Sequence, residues 1–328
     1  VLIGALYSIL SSASFGINTV FTRRGMQGAS AVSALYISVP LGVPLLAIAA
    51  LVAGQLLGLG AISVTGYLLL SVAGIFHFIL GRYSNYRATG AIGANRSNPL
   101  RAMSTPFSIG MALLVLGEHI SWVNGLGIIT VVLAPTIMIE RIGQRQGASA
   151  SASAPVAGAS DGGRSAATAA STPARQGFVP TRAQMVEGYT FGALAAVGYG
   201  VSPLFIRAAI GGTGLGITGA LISYAAATLV LMAGLVQPGR LSGLRNMNRA
   251  GMWWFLLTTI SSFFAQLFRY IALDLAPVTV VTPLQQSSAV FGLLFAFIFN
   301  RQLESFTPRV LMGIALSVLG SVAVVWPS

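Results

Sequence analysis

Ten stretches dominated by apolar residues follow one another along the chain, near 1–22, 31–53, 62–81, 88–117, 121–139, 186–209, 217–236, 252–273, 277–299 and 306–326. About 20 such residues carry a helix across the roughly 30 Å hydrocarbon core of a bilayer. Each stretch is close to that length. A backbone group without a partner is costly in lipid, so spanning segments close their hydrogen bonds internally, as helices do. The expected fold is an all-α polytopic membrane protein with ten transmembrane helices.

Composition points the same way. Only 7% of the 328 residues are charged and 55% are hydrophobic, whereas soluble domains carry about a quarter charged residues. Glycine, at 39 residues, suits close helix packing in membranes. Every one of the 18 basic residues is an arginine, and with six acids the formal charge is +12. That charge invites nucleic acid as a partner. The arginines, however, stand singly or in pairs between apolar runs, which is how topology determinants are distributed. The partners expected are therefore the lipid bilayer and a small-molecule substrate, with no nucleic acid, in a monomer or homodimer. The lack of cysteine excludes disulfides, thiolate metal sites and cysteine nucleophiles. No cofactor or metal is expected.

Residues 141–185, rich in Ala, Ser, Gly and Thr, read as a flexible linker between halves at 1–140 and 186–328. The first residue is Val and the apolar run starts at once, which suggests that residues precede it. The halves resemble each other. Shifted by 184 positions, Gly4, Ser8, Ser12 and Gly16 fall on Gly188, Gly192, Ala196 and Gly200, while Phe15, Phe21 and Arg23 fall on Tyr199, Phe205 and Arg207. With a shift of 186, Glu118 meets Glu304 and Gly127 meets Gly313. Five helices per half is an odd number, so the second unit enters the membrane upside down, as an inverted repeat. The small residues at four-residue spacing lie on one helix face, where packing is their expected role.

Phe15-Gly16-Ile17-Asn18 with Arg23, and Tyr199-Gly200-Val201-Ser202 with Arg207, resemble the aromatic-Gly then basic signature that opens each unit of the EamA-type members of the drug/metabolite transporter superfamily. Leu116-Gly117-Glu118 before Gly127, and Gln302-Leu303-Glu304 before Gly313, resemble the way those units close, with Leu303 departing from the usual Gly. The resemblance covers everything except the linker. It implies ten helices around a central cavity and transport, often export, of amino acids, drugs or other metabolites across the inner cell membrane.

Transport needs polar groups at mid-membrane depth, where an ionisable residue is a functional candidate by default. Asn95-Arg96-Ser97-Asn98-Pro99-Leu100-Arg101 and Thr282-Pro283-Leu284-Gln285-Gln286 stand out. Asn98 before Pro99 and Thr282 before Pro283 each read as an N-cap followed by proline at the first helical position, so the fourth and ninth segments are expected to restart inside the membrane. Two such interruptions at corresponding places point to a binding site. Arg101, about 24 Å from Gly117 at 1.5 Å per residue, would grip a carboxylate or phosphate there. Arg96 reads more simply as a topology determinant and is retained beside it.

Asn18, Ser202, Tyr199, Phe15, Gln266, Gln285 and Gln286 are the further cavity candidates. His77 could couple protons, although a neutral histidine bonded to a neighbouring helix is the simpler reading. Arg23, Arg82, Arg207 and Arg269 lie near expected helix ends, and anchoring by snorkelling is their default role. Glu118, Glu304 and Asp274 sit outside the expected mid-membrane zone, so neutral, zwitterionic or anionic substrates are favoured. The rival classes are a non-transporting membrane subunit and a membrane-embedded enzyme acting on lipid-linked substrates. The second lacks a G-x-S-x-G elbow and a metal-spaced set of acids and histidines. The arginine distribution puts the linker in the cytosol and both termini outside, whereas the family resemblance implies cytosolic termini.

Overall fold

The computed structural model describes residues 1–25, 31–92, 97, 100–139, 181–235, 249–299 and 308–326. Every regular element among them is helical. The first half contains α1 (Leu2–Gly25), α2 (Ala31–Val52), a 3-10 segment (Gln55–Ala61), α3 (Val64–Gly74), a π-helical segment (Ile75–Tyr83), α4 (Ser84–Ile92), α5 (Ser104–Val115) and α6 (Trp122–Ile139). The second contains α7 (Arg182–Ile210), α8 (Gly216–Leu235), α9 (Arg249–Leu275), α10 (Val278–Gln285), α11 (Ser288–Phe299) and α12 (Pro308–Val325). Seven helical stretches are long and apolar enough to cross a membrane, and three more at Leu100–Val115, Trp122–Ala134 and Met312–Val325 are apolar but shorter. Large apolar side chains such as Leu57, Leu114 and Val52 stand on the outside of the bundle, as lipid-facing positions do.

Helix starts follow from local chemistry. Thr181 caps α7 through a reciprocal pair in which Thr181 Oγ1 accepts from Gln184 N and Thr181 N donates to Gln184 Oε1. Ser63 Oγ accepts from Gly66 N at the start of α3. At α10 the capping residue is Pro277, whose side chain offers no acceptor. Glu118 fills that gap from the other half, its Oε1 and Oε2 accepting from Val278 N at 2.8 Å and Thr279 N at 2.9 Å. Gly117, at φ +62°, makes the turn that delivers it. Arg207 does the converse at the C-terminus of α9, donating to the carbonyls of Leu273 and Asp274. It is thus a helix cap and does not snorkel.

The two halves meet through matched contacts. A Cβ on Gly4 would strike Ala276, and one on Gly188 would strike Ile92; a Cβ on Gly16 would strike Phe291, and one on Gly200 would strike Phe107. Each pair maps onto the other under the 184-residue shift, the reciprocity of a two-fold relation. Close packing is therefore the role of the small-residue stripe, helped by Ser8 and Ser12, whose hydroxyls donate to the carbonyls of Val281 and Leu284.

Three boundaries differ from expectation. The third segment does not stop at 81: α3, the π-helical segment and α4 form one rod over 64–92, with Arg82 and Ser84 buried inside the bundle where a loop was expected. Thr282 is not an N-cap. Its Oγ1 bonds back to Val278 O inside α10, and Pro283 lies within that helix. The interruption comes later, at Gln286 and Ser287, where i to i+3 bonds replace the helical pattern. Its counterpart is the turn at Met103. The helices that follow, Ser104–Val115 and Ser288–Phe299, are each 12 residues long and 184 positions apart. Asn98 and Pro99 lie outside the described residues.

Candidate functional site

The π-helical segment places two side chains that an α-helix would separate. His77 and Arg82 are five residues apart, roughly 140° around a helix of 3.6 residues per turn. The i to i+5 pattern of a π-helix brings such positions toward one face. On α9, Ser262, Gln266 and Arg269 follow at i, i+4 and i+7, again a single face. The two faces oppose each other and form a buried basic cluster.

Arg82 donates from NH1 to Ser38 Oγ of α2 at 3.3 Å and from NH2 to Ser262 Oγ at 3.1 Å. Its guanidinium carbon lies 5.3 Å from the Phe78 ring centre. Arg269 NH1 is 2.8 Å from His77 Nδ1, and Gln266 Nε2 is 2.7 Å from His77 Nε2. The Tyr199 ring from α7 packs edge-on to His77 at 5.0 Å. Exposure is 6% for His77, 8% for Arg82, 3% for Arg269 and 0% for Gln266.

Arginine only donates, so the imidazole nitrogen facing Arg269 has to accept. His77 is accordingly neutral with its proton on Nε2, which calls for the Gln266 amide oxygen there, the reverse of the placement in which Gln266 Oε1 accepts from Arg269 NH1 at 3.4 Å. A doubly protonated imidazole would set donor against donor. This geometry fits the bonded neutral histidine better than proton coupling.

The electrostatics are one-sided. The ion pair found among the described residues is Arg87 with Glu187, on an exposed surface. Arg82 and Arg269 are paired only with neutral groups, and Arg269 Nε has no hydrogen-bond partner. A buried charge left uncompensated costs on the order of several kcal/mol. The assignment of Arg82 and Arg269 to snorkelling anchors is therefore corrected: both lie inside the bundle. The charge-based topology count loses both residues.

The sequence-chosen residues divide. His77, Gln266 and Tyr199 belong to the cluster. Asn18 ties α1 to α9, donating to Thr258 O at 2.8 Å and Ser261 Oγ at 3.1 Å. Gln285 reaches Ser11 Oγ, which in turn donates to Ala265 O beside Gln266. Gln286 pairs with Thr105, joining the two interrupted segments. Ser202 is fully buried with its hydroxyl unpartnered. Phe15 is half-buried on α1 and joins no ring pair among the described residues. Arg101 is exposed, so it does not lie at the buried centre. Arg96 and Asn98 lie outside the described residues. A separate groove of about 210 Å³ runs between α1 and α9, lined by residues such as Phe21, Leu257 and Phe264.

Arg82, Arg269, Ser38 and Ser262 are the residues that sequence reasoning left out of the site. The 262/266/269 spacing was a readable signal. The five-residue step from His77 to Arg82 was not, because nothing local announces a π-helix.

Comparison with known proteins places this architecture. The profile of the EamA-like transporter family matches residues 2–139 and 186–326. The chain belongs to that family and is a multi-pass membrane transporter of the drug/metabolite type. A solved structure titled only "Crystal structure of protein" is similar at a TM-score of 0.66 and 14% identity, covering 98% of this chain and 96% of its own. At that identity it speaks to the fold alone. None of the curated proteins matches.

Proposed function

We propose that the chain exports small metabolites, amino acids or organic anions, across the inner cell membrane by alternating access. In this reading ten spans form two inverted five-helix repeats around a central substrate path. The observation that carries it is the buried polar cluster of His77, Arg82, Gln266 and Arg269, which is built by both halves and holds two guanidiniums inside the bundle. A scaffold gains nothing from burying two guanidiniums, whereas a carrier needs groups that replace its cargo's hydration. The matched interruptions at Met103 and at Gln286–Ser287 support it, because broken helices at corresponding places accompany transporter binding sites.

The test is counterflow in liposomes containing the purified protein, over labelled amino acids, organic anions and cationic drugs. Saturable counterflow of an amino acid or organic anion, absent from empty vesicles, is the expected result. Well-folded protein giving no counterflow with any of them would refute the proposal.

A further inference from the structure

We infer that Arg82 and Arg269 form the charge-recognition pair of this site, that its ligand is a small organic oxyanion, a carboxylate or phosphate, and that His77 is the residue positioning Arg269. The inference deepens the transporter reading and rests on it.

Three observations carry it. First, both guanidiniums are more than nine-tenths buried without a carboxylate partner among the described residues. Arginine does not shed its proton in proteins, so a charge that no described carboxylate answers is one an arriving anion can answer. Second, the donors are only partly used: Arg269 NH1 is occupied by His77, whereas Arg269 Nε is buried and has no acceptor. A guanidinium edge with a free N–H suits an oxyanion, which takes parallel bonds from a planar fork. Third, the surrounding groups donate or are neutral. Ser38, Ser262, Gln266 and the Tyr199 hydroxyl can all turn a proton toward an anion, and none repels one. A cationic cargo would meet two fixed positive charges at close range with nothing to offset them.

His77 has a separate task. Its Nδ1 accepts from Arg269 NH1, and its ring is held by Gln266 and packed against Tyr199. Leucine there would free Arg269 to swing, whereas asparagine keeps an acceptor near the Nδ1 position.

The experiment measures binding and transport separately. Purified protein is titrated with inorganic phosphate, acetate, succinate and glutamate, each organic anion beside its neutral amide, by thermal shift; the same compounds are run in counterflow. At least one oxyanion is expected to stabilise the protein while its neutral counterpart does not. Arg269→Gln and Arg82→Gln should each weaken it roughly ten- to hundredfold, the loss of a charge-assisted bond. Arg269→Lys should restore part of that. Arg87→Gln, which removes an equal charge from the exposed Glu187 pair, should leave affinity unchanged. His77→Leu should raise KM with little change in expression, and His77→Asn should recover it. Counterflow of neutral or cationic compounds, undiminished in both Gln variants, would overturn the inference and leave the transporter reading standing. Anion binding that depends on both arginines, without counterflow, would do the reverse. Anions no better than their amides in either assay would overturn the inference outright.

Discussion

Removing the Glu118 carboxylate should uncouple the two halves at the start of α10. Its oxygens accept from Val278 N and Thr279 N at 2.8 and 2.9 Å. Pro277 supplies no substitute acceptor. Hydrogen bonds to a charged group are worth about 1.5–3 kcal/mol each. Glu118 is half-buried, so the lower end applies, and Glu118→Ala should cost about 3 kcal/mol. Glu118→Gln keeps one acceptor but turns an NH2 toward the second amide, so about 2 kcal/mol is lost. Glu118→Asp is shorter by one methylene and cannot reach both amides. Tryptophan fluorescence on heating in detergent should rank the variants wild type, Gln, Ala in falling Tm. Hydrogen exchange should show the amides of Val278 and Thr279 losing protection before the rest of α10. If the Ala and Gln variants melted together with those amides still protected, Glu118 would not be the cap that holds α10.

Gly4→Ala should destabilise more than Gly188→Ala, because the new methyl meets the Ala276 Cβ, which has no rotamer to yield, at the first and the movable Ile92 side chain at the second; overpacking costs about 1–3 kcal/mol, and paired melting curves decide. Gly74→Ala drives a methyl into the Ser223 carbonyl and should be among the most damaging glycine changes, whereas Gly90→Ala meets nothing within 4 Å and should be neutral. Gly117→Ala forces an L-residue to φ +62° and should cost about 1–2 kcal/mol by the same assay. Nitrogen-15 spectra of labelled His77 should show the Nε2-protonated tautomer at neutral pH; a proton on Nδ1 would break the proposed acceptor to Arg269.

Much of the architecture was visible in the residues. The apolar runs located the helices, and the 184-residue register between Gly4 and Gly188 proved to be a register of contacts. Pro283 gave the neighbourhood of the break in the ninth segment but not its position, since a helix that has lost one N–H can continue for another turn when tertiary packing holds it. The site was harder to see. Arg82 and Arg269 looked like boundary residues because arginine beside an apolar run usually marks a membrane edge. Only the π-helical segment brings Arg82 inward beside His77, and only the fold shows Ser38 and Ser262 receiving it. Arg101 looked central from its distance to Gly117, yet that distance measures depth along one helix and says nothing about which way the side chain faces.

Arg82 and Gln266 are counterparts under the same 184-residue register. In the proposed carrier the two repeats thus offer the path unlike walls, a fixed charge on one and an amide on the other. In a carrier whose repeats trade conformations, the two open forms would then hold their cargo with different free energies. Detailed balance links that difference to the half-saturation constants and maximal rates measured from the two faces of the membrane. The concentration gradient alone decides where net flux stops. On the proposed reading the mismatches of Arg82 with Gln266, Arg269 with Asn85 and His77 with Ser261 set how unequal the two directions are on the way there, so a single Arg82→Gln change, besides weakening binding, should bring the two faces part of the way toward kinetic equivalence.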